Sequence, residues 1–151
     1  MDYLKIKSLT VNCDASFFEE FKQGIIAFVI SDEKGNTIYK KNKKISCKTS
    51  SEAEYRAIGM AVKWLNFYQK TNLMRNRIYI NIIGDSKSVI EYVNNSKLKK
   101  CDYVDKILLA EYNAEIDKLK DNNKVRIIWQ KRENNKVADQ HTRARCLFAM
   151  A

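Results

Sequence analysis

Four carboxylates, Asp14, Glu54, Asp85 and Asp139, stand where the residue pattern passes from strand to turn or from turn to helix. Asp14 falls in Cys13-Asp14-Ala15-Ser16, at the exit of an alternating strand pattern. Glu54 lies in the first turn of a helical pattern, Asp85 follows an apolar run in Gly84-Asp85-Ser86, and Asp139 lies in the first turns of a final helical pattern. In open α/β sheets such element ends line the crevice that holds ligands. Each acid alone also has a purely structural reading. Asp14 and Asp85 suit turns or caps, Glu54 answers Ser51 in a capping box, and Asp139 complements a helix dipole. Glu54 resists that reading most, because Glu54, Ile58, Ala61 and Leu65 recur on one helical face and place the carboxylate at the head of an apolar stripe. Thr49 and Glu52 offer the same capping spacing, and Glu52, two positions from Glu54, is expected to point to the other side.

Four carboxylates that converged would need cations. Like charges about 4 Å apart repel by roughly 4 kcal/mol per pair at an effective dielectric near 20, so a bare cluster protonates or spreads. Two divalent ions balance four carboxylates. Oxygen-only ligation favours Mg²⁺ or Mn²⁺ over zinc, and paired ions about 3.5 to 4 Å apart serve in-line displacement at a phosphodiester.

The elements that must carry these acids follow from hydropathy period. Leu4 to Asp14 and Gly24 to Ile30 read as strands, and Thr37 to Cys47 returns as a third after a loop in which Gly35 takes a positive φ, giving an antiparallel meander. Then come a helix from Ser51 to about Lys70, a buried strand Ile78 to Ile83, and a helix starting over Lys87 to Val93. A helix over Val104 to Leu119, a strand Val125 to Trp129 and a helix capped by Asn134 or Asn135 and running toward Phe148 complete the chain. Strands separated by helices imply parallel pairing through right-handed crossovers, so the fold class is α/β with a mixed sheet, antiparallel first and parallel second. Residues 1–151 are expected to form one domain.

Composition narrows the function. The 28 Lys and Arg exceed the 18 Asp and Glu by ten, with an excess of five in each part when the chain is split after Arg75, so basicity belongs to the whole chain. A polyanionic partner is the natural inference, with solubility alone as the plainer one. No apolar run is long enough to cross a bilayer, so no membrane role is expected. The first residues lack a secretory signal pattern, and the expectation is a soluble cytoplasmic protein. Cys13, Cys47, Cys101 and Cys146 are too scattered for a zinc site or a compact disulfide framework, which leaves them as reduced, small apolar residues.

Four motifs in order carry a resemblance: Asp14-Ala15-Ser16, Ala53-Glu54-Tyr55-Arg56-Ala57, Gly84-Asp85-Ser86, and Glu133-Asn134-Asn135-Lys136-Val137-Ala138-Asp139. Together they resemble ribonuclease H type 1, and the match runs from about Thr10 to Ala144. The resemblance implies an RNase H-like, five-stranded mixed sheet flanked by helices, three strands antiparallel and then two parallel. It also implies two-metal-ion hydrolysis of the RNA strand of an RNA/DNA hybrid. Asp14 would bridge two Mg²⁺ or Mn²⁺ ions, with Glu54, Asp85 and Asp139 completing the ligand set. Many members place two asparagines where Ser50 and Ser51 stand, and glutamine where Lys87 stands. Serine and lysine still bond a 2′-hydroxyl or phosphate. Trp129 to Glu133 contains no histidine, as in the histidine-free branch of the family. His141, about 200° around the helix from Asp139, is expected to be a packing or surface residue.

Substrate contact is expected from Ser16, Ser50, Ser51 and Lys87, and from two basic groups, Lys97, Lys99 and Lys100, then Lys131 and Arg132. A solvated charge run is the alternative for each basic group. The expected protein is a monomeric endonuclease with a nucleic-acid partner and no evident protein partner. A nuclease of the same fold acting on double-stranded RNA or a DNA junction, or a non-catalytic nucleic-acid-binding module, is the alternative.

Overall fold

The computed structural model describes residues 5–71, 77–95 and 104–131. Strand β1 (Ser8–Phe18) and strand β2 (Gln23–Asp32) form a long antiparallel hairpin, from Leu9 opposite Asp32 to Phe18 opposite Gln23, closed by a short 3-10 turn at Glu19–Phe21. Strand β3 (Thr37–Ser46) pairs antiparallel with β2, and helix α1 (Ser50–Thr71) follows. Strand β4 (Tyr79–Gly84) runs parallel to β1, helix α2 (Lys87–Asn94) and helix α3 (Lys106–Asn122) come next, and strand β5 (Lys124–Trp129) runs parallel to β4. The sheet has five strands in the order β3-β2-β1-β4-β5, the mixed arrangement expected from the order of strands and helices.

Two expectations are corrected here. β1 continues four residues past Asp14, because Asp14 to Phe18 find ladder partners on β2; Asp14 therefore sits within the strand, opposite Ala27, and not at its exit. The helix over residues 104–119 starts two residues later than expected, since the Asp105 side chain accepts the Ile107 N–H and caps it. The expected final helix, with Asp139 and His141, lies outside the described residues.

The core forms where α1 lies on the sheet. Leu9, Val11 and Cys13 alternate inward from β1 and meet Phe28 and Ile30 of β2, Ile80 and Ile82 of β4, and Ala57, Ile58, Ala61 and Leu65 of α1. Each large aliphatic side chain so buried contributes about 1.5–3 kcal/mol. The edge strand β3 carries Lys40, Lys41, Lys43 and Lys44, charges that discourage another chain from pairing with it. Trp64 and Tyr68 of α1 stack in series on Tyr39 of β3, with centroid spacings of 4.0 and 4.4 Å, so they act as packing residues. No described helix is long and apolar enough to cross a membrane.

Helix α1 is held at both ends and along its length. Its first turn is capped by Thr49, whose hydroxyl accepts the Glu52 N–H at 3.0 Å, while Glu52 accepts the Lys48 N–H at 3.1 Å. Gly24 lets this end lie close to the sheet; a Cβ there would be 2.9 Å from Cys47 Sγ and 3.2 Å from Ala53 Cβ. Against α3, Tyr55 donates to Asn113, Lys63 pairs with Glu111, and Gln69 and Asn123 exchange two amide bonds of 2.9 Å in the interior.

Candidate active site

The period-two alternation of β1 breaks at one place. Cys13, Asp14 and Ala15 are all buried in succession, and Asp14 is completely so. The break has a topological cause: pairing of β1 with β4 ends at Asn12 opposite Ile83, and β4 itself ends at Gly84. Beyond that point, among the described strands, β1 keeps only β2 as a neighbour. The other side is the crevice at the ends of the parallel strands, into which the turn after β4 delivers Asp85 and the first turn of α1 delivers Glu54.

One carboxylate oxygen from each of Asp14, Glu54 and Asp85 lies within 4.8 Å of the other two. Asp14 is buried, and Glu54 and Asp85 are half-buried at the mouth. The concentration of negative charge is felt next door. Burial first, and then the charges of Glu54 and Asp14, push the Cys13 thiol far above its usual range. Three clustered oxygen donors of this kind, one of them fully enclosed, fit a hard divalent cation and offer nothing to a thiophilic one. Asp14, Glu54 and Asp85 are the residues that would hold it.

The two neighbouring glutamates divide their work. Glu52 stays out of the acidic cluster, as expected of a residue on the other side from Glu54, yet it is only 8% exposed; its carboxylate caps α1 and takes the Arg56 guanidinium at 3.2 Å. The capping box thus uses Thr49 and Glu52, and Ser51 with Glu54 does not form it. Glu54, less buried than Glu52, goes to the acidic cluster.

Of the residues expected to touch substrate, Ser16 is half-buried on β1, two positions past Asp14, and Ser50 and Ser51 open α1. Lys87 is exposed in the first turn of α2, and Lys131 is exposed just after β5. Asp139, Lys97, Lys99, Lys100 and Arg132 lie outside the described residues. Sequence reasoning missed Trp129, which ends β5 beside this crevice and donates its indole N–H to the Asp85 carbonyl at 3.1 Å. The sequence offered only a bulky aromatic at the end of its last strand pattern, Val125 to Trp129. A separate cavity of about 490 Å³ lies at the starts of α1 and α3, lined by Lys22, Cys47, Lys48, Glu52 and Asp105 among others, and contains none of the three clustered acids.

The sequence profile of the reverse transcriptase-like family matches residues 12–144. No curated protein sequence matches the chain. Among solved structures, the chain is similar to LC11-RNase H1 isolated from compost by a metagenomic approach, with TM-score 0.73 and 22% identity over 97% of this chain and 100% of that one. The same LC11 protein in complex with an RNA/DNA hybrid gives 0.67 and 23% identity over 87% and 91%. RNase H1 of the halophilic archaeon Halobacterium salinarum NRC-1 gives 0.67 and 16% over 88% and 92%.

Proposed function

The chain belongs to the reverse transcriptase-like family and has the ribonuclease H fold, and we propose on that basis that it is a divalent-metal-dependent endonuclease cutting the RNA strand of RNA/DNA hybrids. The observation that carries this reading is the meeting of Asp14, Glu54 and Asp85 within 4.8 Å in a chain whose net charge is +10. A protein that only bound nucleic acid would gain nothing from concentrating carboxylates where phosphates approach. The hybrid as substrate is supported by the LC11 relative, which is seen bound to one.

When bound, two divalent ions supply the charge that lowers the pKa of water and steadies the departing 3′ oxygen of the phosphodiester. The chain's own part is positional. Asp14, within a paired strand and fully buried, is the most enclosed of the three residues that would hold the ions. Glu54 is set by the capped first turn of α1, and Asp85 by the turn between β4 and α2. Asp139 is assigned as the fourth ligand from its motif. Ser16, Ser50 and Ser51 offer hydroxyls at the same end of the fold, and Lys87 and Lys131 offer cations to the backbone of the substrate.

The test is cleavage of three matched duplexes, hybrid, RNA and DNA, each with Mg²⁺, Mn²⁺ or chelator, by the native chain and by Asp14→Asn. Hybrid cleavage that requires the metal and the aspartate is expected. Cleavage that survives chelation or the substitution would defeat the metal mechanism. Tight hybrid binding with no cutting would favour a binding module, and preferential cutting of an RNA duplex would move the substrate assignment.

A further inference from the structure

The indole of Trp129 is committed on two sides to the segment that carries Asp85. Strand β5 ends with Trp129 opposite Gly84, and the next residue, Gln130, donates its N–H to the Gly84 carbonyl at 2.9 Å. One step further, Trp129 Nε1 donates to the Asp85 carbonyl at 3.1 Å. The ring face is engaged as well, since Lys87 Nζ lies 5.8 Å from its centroid. Trp129 is 40% exposed, so the ring is not sunk in the core, and its bond to the Asp85 carbonyl puts it beside the acidic cluster.

These contacts matter because the helix cap supplies no side-chain bond of its own at this turn. Asp85 and Ser86 join the end of β4 to the start of α2, and Ser86, the N-cap residue, makes no side-chain capping bond. In most helices that bond fixes the angle at which the chain enters the first turn. Here β5 does it from the side, with one backbone and one indole hydrogen bond to consecutive carbonyls. We infer that Trp129 is a positioning residue with two outputs: its N–H sets the Asp85 carboxylate for the divalent cation, and its ring holds the Lys87 ammonium beside the acidic cluster, where it meets a phosphate of the RNA strand. This deepens the nuclease reading and rests on it for the substrate, though the metal-holding half stands on geometry alone.

The two outputs separate in different variants. Trp129→Phe keeps a ring for Lys87 and removes the donor to Asp85; it is expected to weaken Mn²⁺ binding, measured by calorimetry without substrate, by about tenfold, the usual cost of losing an outer hydrogen bond at a metal ligand. Its KM for hybrid should stay within about twofold of the native value, since a cation over phenylalanine keeps most of its attraction. Lys87→Met should do the reverse, raising KM and flattening its dependence on salt while leaving Mn²⁺ affinity unchanged. Equal metal affinity in Trp129→Phe and the native chain, or metal affinity and KM moving together in both variants, would overturn the assignment. Trp64→Phe, a change away from the crevice, leaves Trp129 as the only tryptophan and requires no alteration at the site. In that chain Mn²⁺ is expected to quench the emission, and its failure to do so while calorimetry shows binding would also overturn the assignment. Quenching and the tenfold affinity loss in a protein that cuts no duplex would instead remove the nuclease reading and leave the metal-holding role of Trp129 in place.

Discussion

Replacing Asp14 by asparagine should stabilise the metal-free protein while removing its response to metal. The three clustered carboxylates place oxygens within 4.8 Å of one another, and Asp14 takes part in two of the three pairs. At that separation a pair of unit charges repels by about 3.5 kcal/mol at an effective dielectric near 20, and by about 0.9 kcal/mol in bulk water. Relief of two fully ionised pairs is therefore worth at most about 2 to 7 kcal/mol, and water reaching the half-buried Glu54 and Asp85, together with partial protonation of the bare cluster, draws the value toward the lower end. A gain of about 2 kcal/mol raises the melting midpoint by about 4–8 °C in a chain of this length. Asparagine has the same volume, so packing around the buried position is kept. The assay is calorimetric melting of native and Asp14→Asn protein in chelator and in millimolar Mg²⁺. The variant should melt above the native chain in chelator. Magnesium should then raise the native midpoint more than that of the variant, because binding to the folded state alone adds stability in proportion to affinity. A variant that melts lower in chelator and gains as much from magnesium as the native chain would refute the electrostatic reasoning.

Gly59→Ala should be among the most damaging small substitutions, because the new methyl would fall inside the Tyr112 ring where α1 crosses α3; a loss of about 1–3 kcal/mol in denaturant unfolding is expected. Gln69→Leu leaves the buried Asn123 amide without its reciprocal partner, and the same measurement should show a cost of about 1–3 kcal/mol. At Asp32, burial acts to raise the carboxyl, but the N–H groups of Asn36 and Lys34 outweigh it and hold the group below its ordinary value of 3.8. A lowered value means the contribution is complete above pH 3.8 and fades as pH falls through the lower folded value, so Asp32→Ala should flatten the acid limb of the stability profile there.

Strand and helix order was legible because the period of the apolar residues changes cleanly after Thr37–Ser46, and because the separating helices force parallel pairing. Strand ends were less so. The alternation that identifies β1 stops at Asp14, since three consecutive buried residues there obey the site and not the period, and a reading by alternation ends the strand too early. Glu54 was legible as a carboxylate on an inward stripe, and the competing cap by Thr49 and Glu52 is what the chain uses. The burial of Glu52 was not, since it depends on Arg56 folding back along the same helix, a local pairing that hydropathy does not register. Trp129 was hidden for a related reason: its role depends on β5 lying beside β4, a neighbour relation that exists only once the sheet is assembled.

The most direct measurement is anomalous diffraction from a crystal of the protein soaked in Mn²⁺. Manganese density touching the carboxylates of Asp14, Glu54 and Asp85 together is the predicted result. Manganese bound elsewhere on the molecule, with no density among those three side chains, would contradict the metal centre on which the proposed chemistry depends.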